Sequence, residues 1–246
     1  MNNYRADLHI HSVLSPCGDL DMSPSKIIET AAANGLDIIA VTDHNHTGHA
    51  RLTRQLGEAK GIWVVYGAEV TTREEVHCLT FFDTDDQLAS FQEYLEVQLP
   101  RVMNDAELLG HQVIVDAEER IREEVAHSLY PGLEQGVDEV AEAVRSLGGL
   151  FVPAHVDRPR NGIYAQLGFF PGGLQPDAVE IFRKSTRTSA LEKHPELQQY
   201  QLLKSSDAHF TNDIGRCTST LVMANRSFSE LSMAFRGEQG RRISND

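Results

Sequence analysis

The chain has 246 residues, of which 41% are hydrophobic, enough to bury a sizeable core. Its 36 acidic against 22 basic side chains leave a formal charge of −14, which repels a nucleic-acid backbone unless the cations cluster. A small anionic substrate held through metal ions stays compatible, because bound cations reverse the field inside a pocket.

Apolar runs such as 36–41 and 62–66 fall well short of the ~18 residues a membrane span requires, so no bilayer crossing is expected. The first seven residues, Met1-Asn2-Asn3-Tyr4-Arg5-Ala6-Asp7, lack the basic and apolar regions of a secretion signal. Cys17, Cys78 and Cys217 form no Cys-x-x-Cys pair, so a disulfide framework is not expected and a reducing, cytoplasmic setting is. No repeat or low-complexity linker divides the chain, which predicts a single domain over 1–246.

The first element is a strand ending in Asp7-Leu8-His9-Ile10-His11-Ser12. Side chains two apart on a strand face the same way, so His9 and His11 can grip one ion together. Ser23-Pro24 then reads as a helix start, with Ile27, Ile28 and Ala31 as the apolar face and Asn34-Gly35 as the stop. Residues 36–44 form a buried-strand pattern with His44 just past its end, followed by a polar helix near 49–60. Two further β-like runs, 62–69 and 76–82, place Glu69 just after the third strand and His77 at the start of the next.

Residues 84–125 break this rhythm with a charged, helical stretch around a strand at 112–115. Such a stretch reads as an insertion able to cap a site. A helix over 137–148 ends in Gly-Gly, and strand patterns follow at 150–155, 177–182, 200–209 and 218–223. An amphipathic helix near 227–236 completes the pattern. His155 ends one of these strands, and Asp207 and His209 end another, repeating the alternate-residue geometry of His9 and His11. Repeated βα units imply parallel strands with right-handed crossovers, as a barrel or an open doubly wound sheet.

In βα folds the C-terminal strand ends converge on one rim, where ligands bind. Any single histidine beside a strand is more often packing or surface than ligand. Jointly the positions argue otherwise, because polar groups interrupt apolar strands at the same end, at a cost of ~1–3 kcal/mol for each one buried without a partner. Imidazole with carboxylate suits Zn, Mn or Fe rather than Ca or Mg, and a carboxylate such as Glu69 can bridge two ions.

The motifs Asp7–Ser12, Val41–His44, Gly67–Phe82, Pro153–Arg158 and Ser205–Phe210, in this order over almost the whole chain, resemble those of the PHP (polymerase and histidinol phosphatase) family. The likeness is nearest to freestanding bacterial members resembling the TrpH/YciV-type nucleotide phosphoesterases. It implies an α/β fold, a distorted (β/α)7 TIM-like barrel with a helical insertion or cap over residues 84–148, and two or three divalent transition metal ions. Carried over, His9, His11, Glu69 and Asp207 would hold one metal, and Glu69 would bridge to a second bound by His77 and His155. His44 and His209 would hold a third. The remaining ligand of that third site is where the chain departs, and Cys17 is the first choice before Asp19. A small buried loop cysteine is the competing reading of Cys17.

The reaction expected from this resemblance is hydrolysis of a small phosphoester by a hydroxide shared between metals and held by Glu69, Asp207 and His209. Arg158, and more weakly Arg183, would contact phosphate. Asp43 is expected to orient a ligand histidine, and His46 and His49 to be surface imidazoles. Residues 166–173 read as a lid or a packed loop. No Ser-His-Asp or Cys-His arrangement stands out. An amidohydrolase-type metal hydrolase, a nuclease acting on short oligonucleotides, and a non-catalytic metal-binding regulatory module are the alternatives. Substrate identity and oligomeric state depend on surface shape, which residue order does not encode.

Overall fold

The computed structural model describes residues 1–244. Strand β1 (Asn2–Ile10) starts exposed and ends fully buried. Helix α1 (Pro24–Ala33) begins as predicted: the Ser23 side chain accepts from the Lys26 N–H, with proline in the first turn. It stops at Asn34. There follow β2 (Ile38–Val41), α2 (Ala50–Ala59), β3 (Trp63–Thr71) and β4 (His77–Phe82). Residues 84–125 contain α3 (Asp85–Gln98), α4 (Ala106–Leu109), and the hairpin of β5 (Val113–Val115) with β6 (Ile121–Glu124). Then come α5 (Val137–Ser146), β7 (Leu150–Pro153), α6 (Ile163–Leu167), β8 (Val179–Glu180), α7 (Arg187–Lys193) and β9 (Leu202–Leu203). The last elements are β10 (Ser219–Met223), α8 (Phe228–Arg236) and β11 (Arg242–Ser244).

A seven-stranded sheet runs in the order β11-β10-β1-β2-β3-β4-β7, and β8 pairs with β9 separately. Backbone hydrogen bonds close the ring. Val156 N–H donates to Glu180 O at 2.9 Å on one side of β8, and beyond β9 the His11 N–H donates to Ala208 O at 2.9 Å. The result is a distorted barrel of β1, β2, β3, β4, β7, β8 and β9, with β10 and β11 laid antiparallel on the outer end of β1.

The expectation of uniformly parallel strands fails at β4, which is antiparallel to both β3 and β7. Its connection from β3 spans only residues 72–76, and a parallel crossover needs about a dozen residues or more. The reversal matters for function. A residue at the start of an antiparallel strand sits on the same rim as residues at the ends of its parallel neighbours, and His77 occupies that start.

Strands buried on both faces serve two cores. Ile38 and Ala40 of β2 join Leu8, Val65, Phe81, Val152 and Leu203 in one apolar cluster. Ile39 and Val41, on the other face, pack with Ile27, Ile28 and Ala31 of α1. A third cluster sets Val70 and Phe82 against α3 and α5. Of residues 166–173, Gln166 and Leu167 end α6, Phe170 packs with its ring 6.1 Å from that of Tyr164 and 5.6 Å from that of Tyr200, and Phe169 stays exposed. No helix among the described residues is long and apolar enough to cross a membrane.

Candidate metal centre

Glu69, near the end of β3 and 1% exposed, sits within a ring of five imidazoles. Its Oε1 lies 3.2 Å from His9 Nε2, 2.9 Å from His77 Nδ1 and 3.1 Å from His155 Nε2. Its Oε2 lies 3.3 Å from His11 Nε2 and 3.2 Å from His44 Nδ1. Asp207 completes the group, with Oδ1 3.5 Å from the Nε2 atoms of both His9 and His11. His209 stacks near His11, their ring centroids 4.3 Å apart.

Hydrogen bonds behind these rings fix which nitrogen faces inward. Ser15 Oγ donates to Asp43 Oδ1 at 2.7 Å, so the 3.0 Å contact between His11 Nδ1 and Ser15 Oγ has the imidazole donating. His9 donates from Nδ1 to Glu180 Oε2 at 3.0 Å, and His209 from Nδ1 to the Asp207 carbonyl at 2.9 Å. In all three the Nε2 lone pair is left free, the tautomer of a metal-ligating histidine. The expected orienting role of Asp43 is therefore realised through Ser15.

A bare Nε2 facing a carboxylate, and the Nε2 atoms of His9 and His11 only 3.2 Å apart, require a cation or a proton between them. Without metal, protons fill that role. Burial opposes charge on His11, yet its hydrogen bonds to Asp207 and Glu69 push it up to about 9. His9 is likewise raised, against burial, by Glu69, Glu180 and Asp207. Burial pushes Glu69 up, but the imidazoles outweigh it and hold the carboxyl well below its usual range. Burial lowers His44, and it brings His209 down to about 4.

The donor set fits divalent transition ions. Ligand atoms within 4.8 Å of one another form three overlapping groups: His9, His11 and Glu69; His44, Glu69 and His77; His11, Cys17, His44 and His209. The buried Nδ1 of His44, which faces Glu69 Oε2, makes no hydrogen bond and adds to the unmet demand. Cys17, rather than Asp19, falls in the third group, while an Asp19 oxygen accepts from the Asp21 N–H. Burial and Glu69 push the Cys17 thiol up to about 12, so it would lose its proton only to a bound cation.

The backbone is bent to present two of these residues. His155 and Asp207 adopt φ of 29° and 50°, a region non-glycine residues seldom occupy. Glu180 Oε2 accepts from the His155 N–H at 3.0 Å, and the Arg158 N–H closes the turn on His155 O at 2.8 Å. Gly162 packs so closely on this turn that a Cβ would lie 2.6 to 2.9 Å from the carbonyl oxygens of Arg158, Val156 and His155.

A cavity of about 360 Å³ opens over the centre, floored by His44, Glu69, His77, Asp207 and His209. Arg158 lines it and donates to Asp207 Oδ2 at 3.1 Å. Arg183 does not line it, and its guanidinium donates to the Ser206 carbonyl at 3.0 Å. His49 corrects the surface reading. It is 1% exposed, its Nδ1 donates to Ser12 Oγ at 2.7 Å, and its Nε2 accepts from the Val115 N–H at 2.9 Å. It ties the β5–β6 hairpin to the strand that carries the ligands. His46 is half-buried beside it. Residue order alone misses Glu180, 2% exposed and shared between His9 and His155; its signal is a carboxylate inside the apolar run 178–182.

Comparison with known proteins bears on the fold. Residues 7–109 match the PHP domain model. The uncharacterised protein YqxK of Bacillus subtilis is 22% identical over 280 residues, covering 99% of this chain and 64% of YqxK. The lesion-specific endonuclease Q of Pyrococcus furiosus shares the fold with a TM-score of 0.77 at 21% identity, over 98% of this chain and 58% of its own. Endonuclease Q bound to a 27-mer duplex, with an abasic lesion at its active site, gives 0.72 at the same identity and coverage. A protein of Bifidobacterium adolescentis assigned as a metal-dependent phosphoesterase gives 0.60 at 21% identity, over 84% of this chain and 88% of its own. The chain spans less than two thirds of the length of YqxK and of the endonuclease. The chain is thus similar to the PHP domain model over residues 7–109 and to these solved structures in fold.

Proposed function

We propose that the chain is a metal-dependent phosphoesterase that hydrolyses a small phosphoester. The observation that carries this reading is Glu69, one buried carboxylate within 3.3 Å of nitrogens from five histidines. On this reading His9, His11, Glu69 and Asp207 hold one ion, Glu69 reaches a second with His77 and His155, and His44, His209 and Cys17 hold a third. The grouping of His11 with Cys17, His44 and His209 supports a compact cluster in which His11 stands between two of these places. Zn, Mn or Fe held there would supply a nucleophilic water at neutral pH and positive charge for the phosphoryl oxygens.

The protein's own residues position and balance that chemistry. Glu180 and Ser15 keep the Nε2 atoms of His9 and His11 turned toward Glu69. Arg158 is the one lysine or arginine lining the cavity among the described residues, and Asp207 holds its guanidinium where a phosphoryl oxygen can take the remaining donors. Residues 84–148 act as an insertion that walls the site, through Tyr130, Pro131 and Gly132.

The 360 Å³ volume, the Glu75 carboxylate in the lining and the −14 charge favour a small ester over a long polyanion. The likeness to endonuclease Q bound to a damaged duplex favours a second reading, cleavage of nucleic acid. One experiment separates them. Purified protein supplied with Mn, Zn or Fe is assayed on phosphomonoesters, phosphodiesters, single-stranded oligonucleotides and lesion-bearing duplex. Monoester turnover that exceeds duplex cleavage is expected, duplex cleavage alone would establish the second reading, and inertness throughout would refute both.

A further inference from the structure

We infer that Tyr130 is a fixed aromatic wall that selects phosphoesters whose alcohol carries a planar ring, as a nucleoside does; the inference rests on the phosphoesterase reading. Tyr130 lines the cavity, its ring centroid 6.4 Å from that of His44, and is 41% exposed although Leu129 before it is 1% exposed.

The segment around it lies outside the helices and strands yet has little freedom. Asn45, next to His44, is wholly buried with φ of 48°, and its amide is spent on this segment. Its Nδ2 donates to Leu129 O at 2.9 Å and to Pro131 O at 3.0 Å, while its Oδ1 accepts from the Thr71 N–H at 3.0 Å. Buried Gln112 accepts from the Leu129 N–H at 2.8 Å and donates to His127 O at 2.8 Å. Leu133 N–H donates to Thr71 O at 2.8 Å, and Gly132 packs so tightly that a Cβ would collide with the Thr72 carbonyl oxygen. Two buried amides thus immobilise the chain on either side of one exposed aromatic ring. With the backbone on both sides already held, stacking on this ring orders only the side chain and no loop, which lowers the entropic cost of the contact.

The lining divides by chemistry. The imidazoles, carboxylates and Arg158 serve the phosphoryl group, whereas Tyr130 with Pro131 offers an apolar face to the rest of the ester. Asn161 adds a polar group for ring or sugar substituents. Stacking of a base on an aromatic side chain is worth ~1–3 kcal/mol, enough to change selectivity by about tenfold or more.

The test uses adenosine 5′-monophosphate and ribose 5-phosphate, which differ by the ring alone, with metal-loaded wild type, Tyr130→Phe and Tyr130→Ala. The wild type is expected to favour the nucleotide in kcat/KM, Tyr130→Ala to lower that preference about tenfold through KM, and Tyr130→Phe to restore most of it. A wild type without preference, or a Tyr130→Ala ratio within about twofold of wild type, would overturn the inference. If the wild type hydrolyses neither ester, the phosphoesterase reading fails for these substrates and the wall is judged by calorimetric binding of the same two ligands. A preference for the nucleotide that Tyr130→Ala abolishes supports the wall, and equal binding overturns it.

Discussion

The floor of the cavity and the wall beside it are built by opposite means. On the floor, side chains at or just past the ends of β1, β2, β3 and β7 and at the start of β4 meet at Glu69, brought there by strand register and by the bent backbone at His155. In the wall, residues 128–133 belong to no strand or helix and are held by Asn45 and Gln112, which are distant in sequence. On the proposed reading, the metal ligands sit on the rigid element, and the surface that would meet the variable part of a ligand sits on the clamped loop. That division lets one be altered without dismantling the other.

Removing a floor ligand should have the largest effect. Asp207→Ala or His9→Ala is expected to lower turnover by about a thousandfold or more, the scale of several kcal/mol of lost charge stabilisation, and to deplete bound metal in elemental analysis. The far-ultraviolet dichroism should stay that of the wild type. Turnover at the wild-type rate in either variant would dissolve the distinction between floor and wall.

Glu180 tests whether the support beneath the floor belongs to it. Glu180→Gln keeps the shape but weakens the acceptor shared by His9 and His155, and metal affinity should fall about 10- to 100-fold in competition titrations. Unchanged affinity would reduce Glu180 to packing.

Proton competition sharpens the comparison further. In the metal-free protein the pKa of His11 is pushed up to about 9, because its hydrogen bonds to the Asp207 and Glu69 carboxylates outweigh its burial. An ion must displace the His11 proton, so affinity should rise with pH below about 9, by up to roughly tenfold per unit for each proton released. Calorimetry in buffers of different ionisation enthalpy reads the release directly, and a pH-independent affinity would mean that the imidazoles are not the ligands.

The smallest effect is expected in the wall. Asn45→Ala leaves three backbone groups without partners and should cost ~1–3 kcal/mol in urea unfolding while bound metal is retained. Metal loss equal to that of Asp207→Ala would show that wall and floor are one unit.

The same contrast explains what the sequence revealed. His9-x-His11 was legible because alternation along β1 fixes its direction, whereas Asp207-x-His209 lies past the end of β9 (Leu202–Leu203) on backbone with φ of 50° at Asp207, and is brought to β1 by the Ile10–Ala208 bridge instead of by strand alternation. The reversal of β4 was legible in principle, since residues 72–76 are too few for a crossover, but the βα rhythm on either side masked it. His49 was misjudged because its burial depends on Val115, 66 residues away, and no local pattern encodes that contact. Tyr130 escaped notice for the same reason: an aromatic in a polar loop carries no periodicity to read.

The most direct test is a crystal structure of the metal-loaded protein with anomalous diffraction recorded at the absorption edge of the bound ion. At least two peaks are predicted, sharing Glu69 and lying about 2.0–2.3 Å from imidazole or carboxylate atoms of His9, His11, His77 and Asp207. Saturating metal with no peak at Glu69, or with peaks only elsewhere on the surface, would contradict the account.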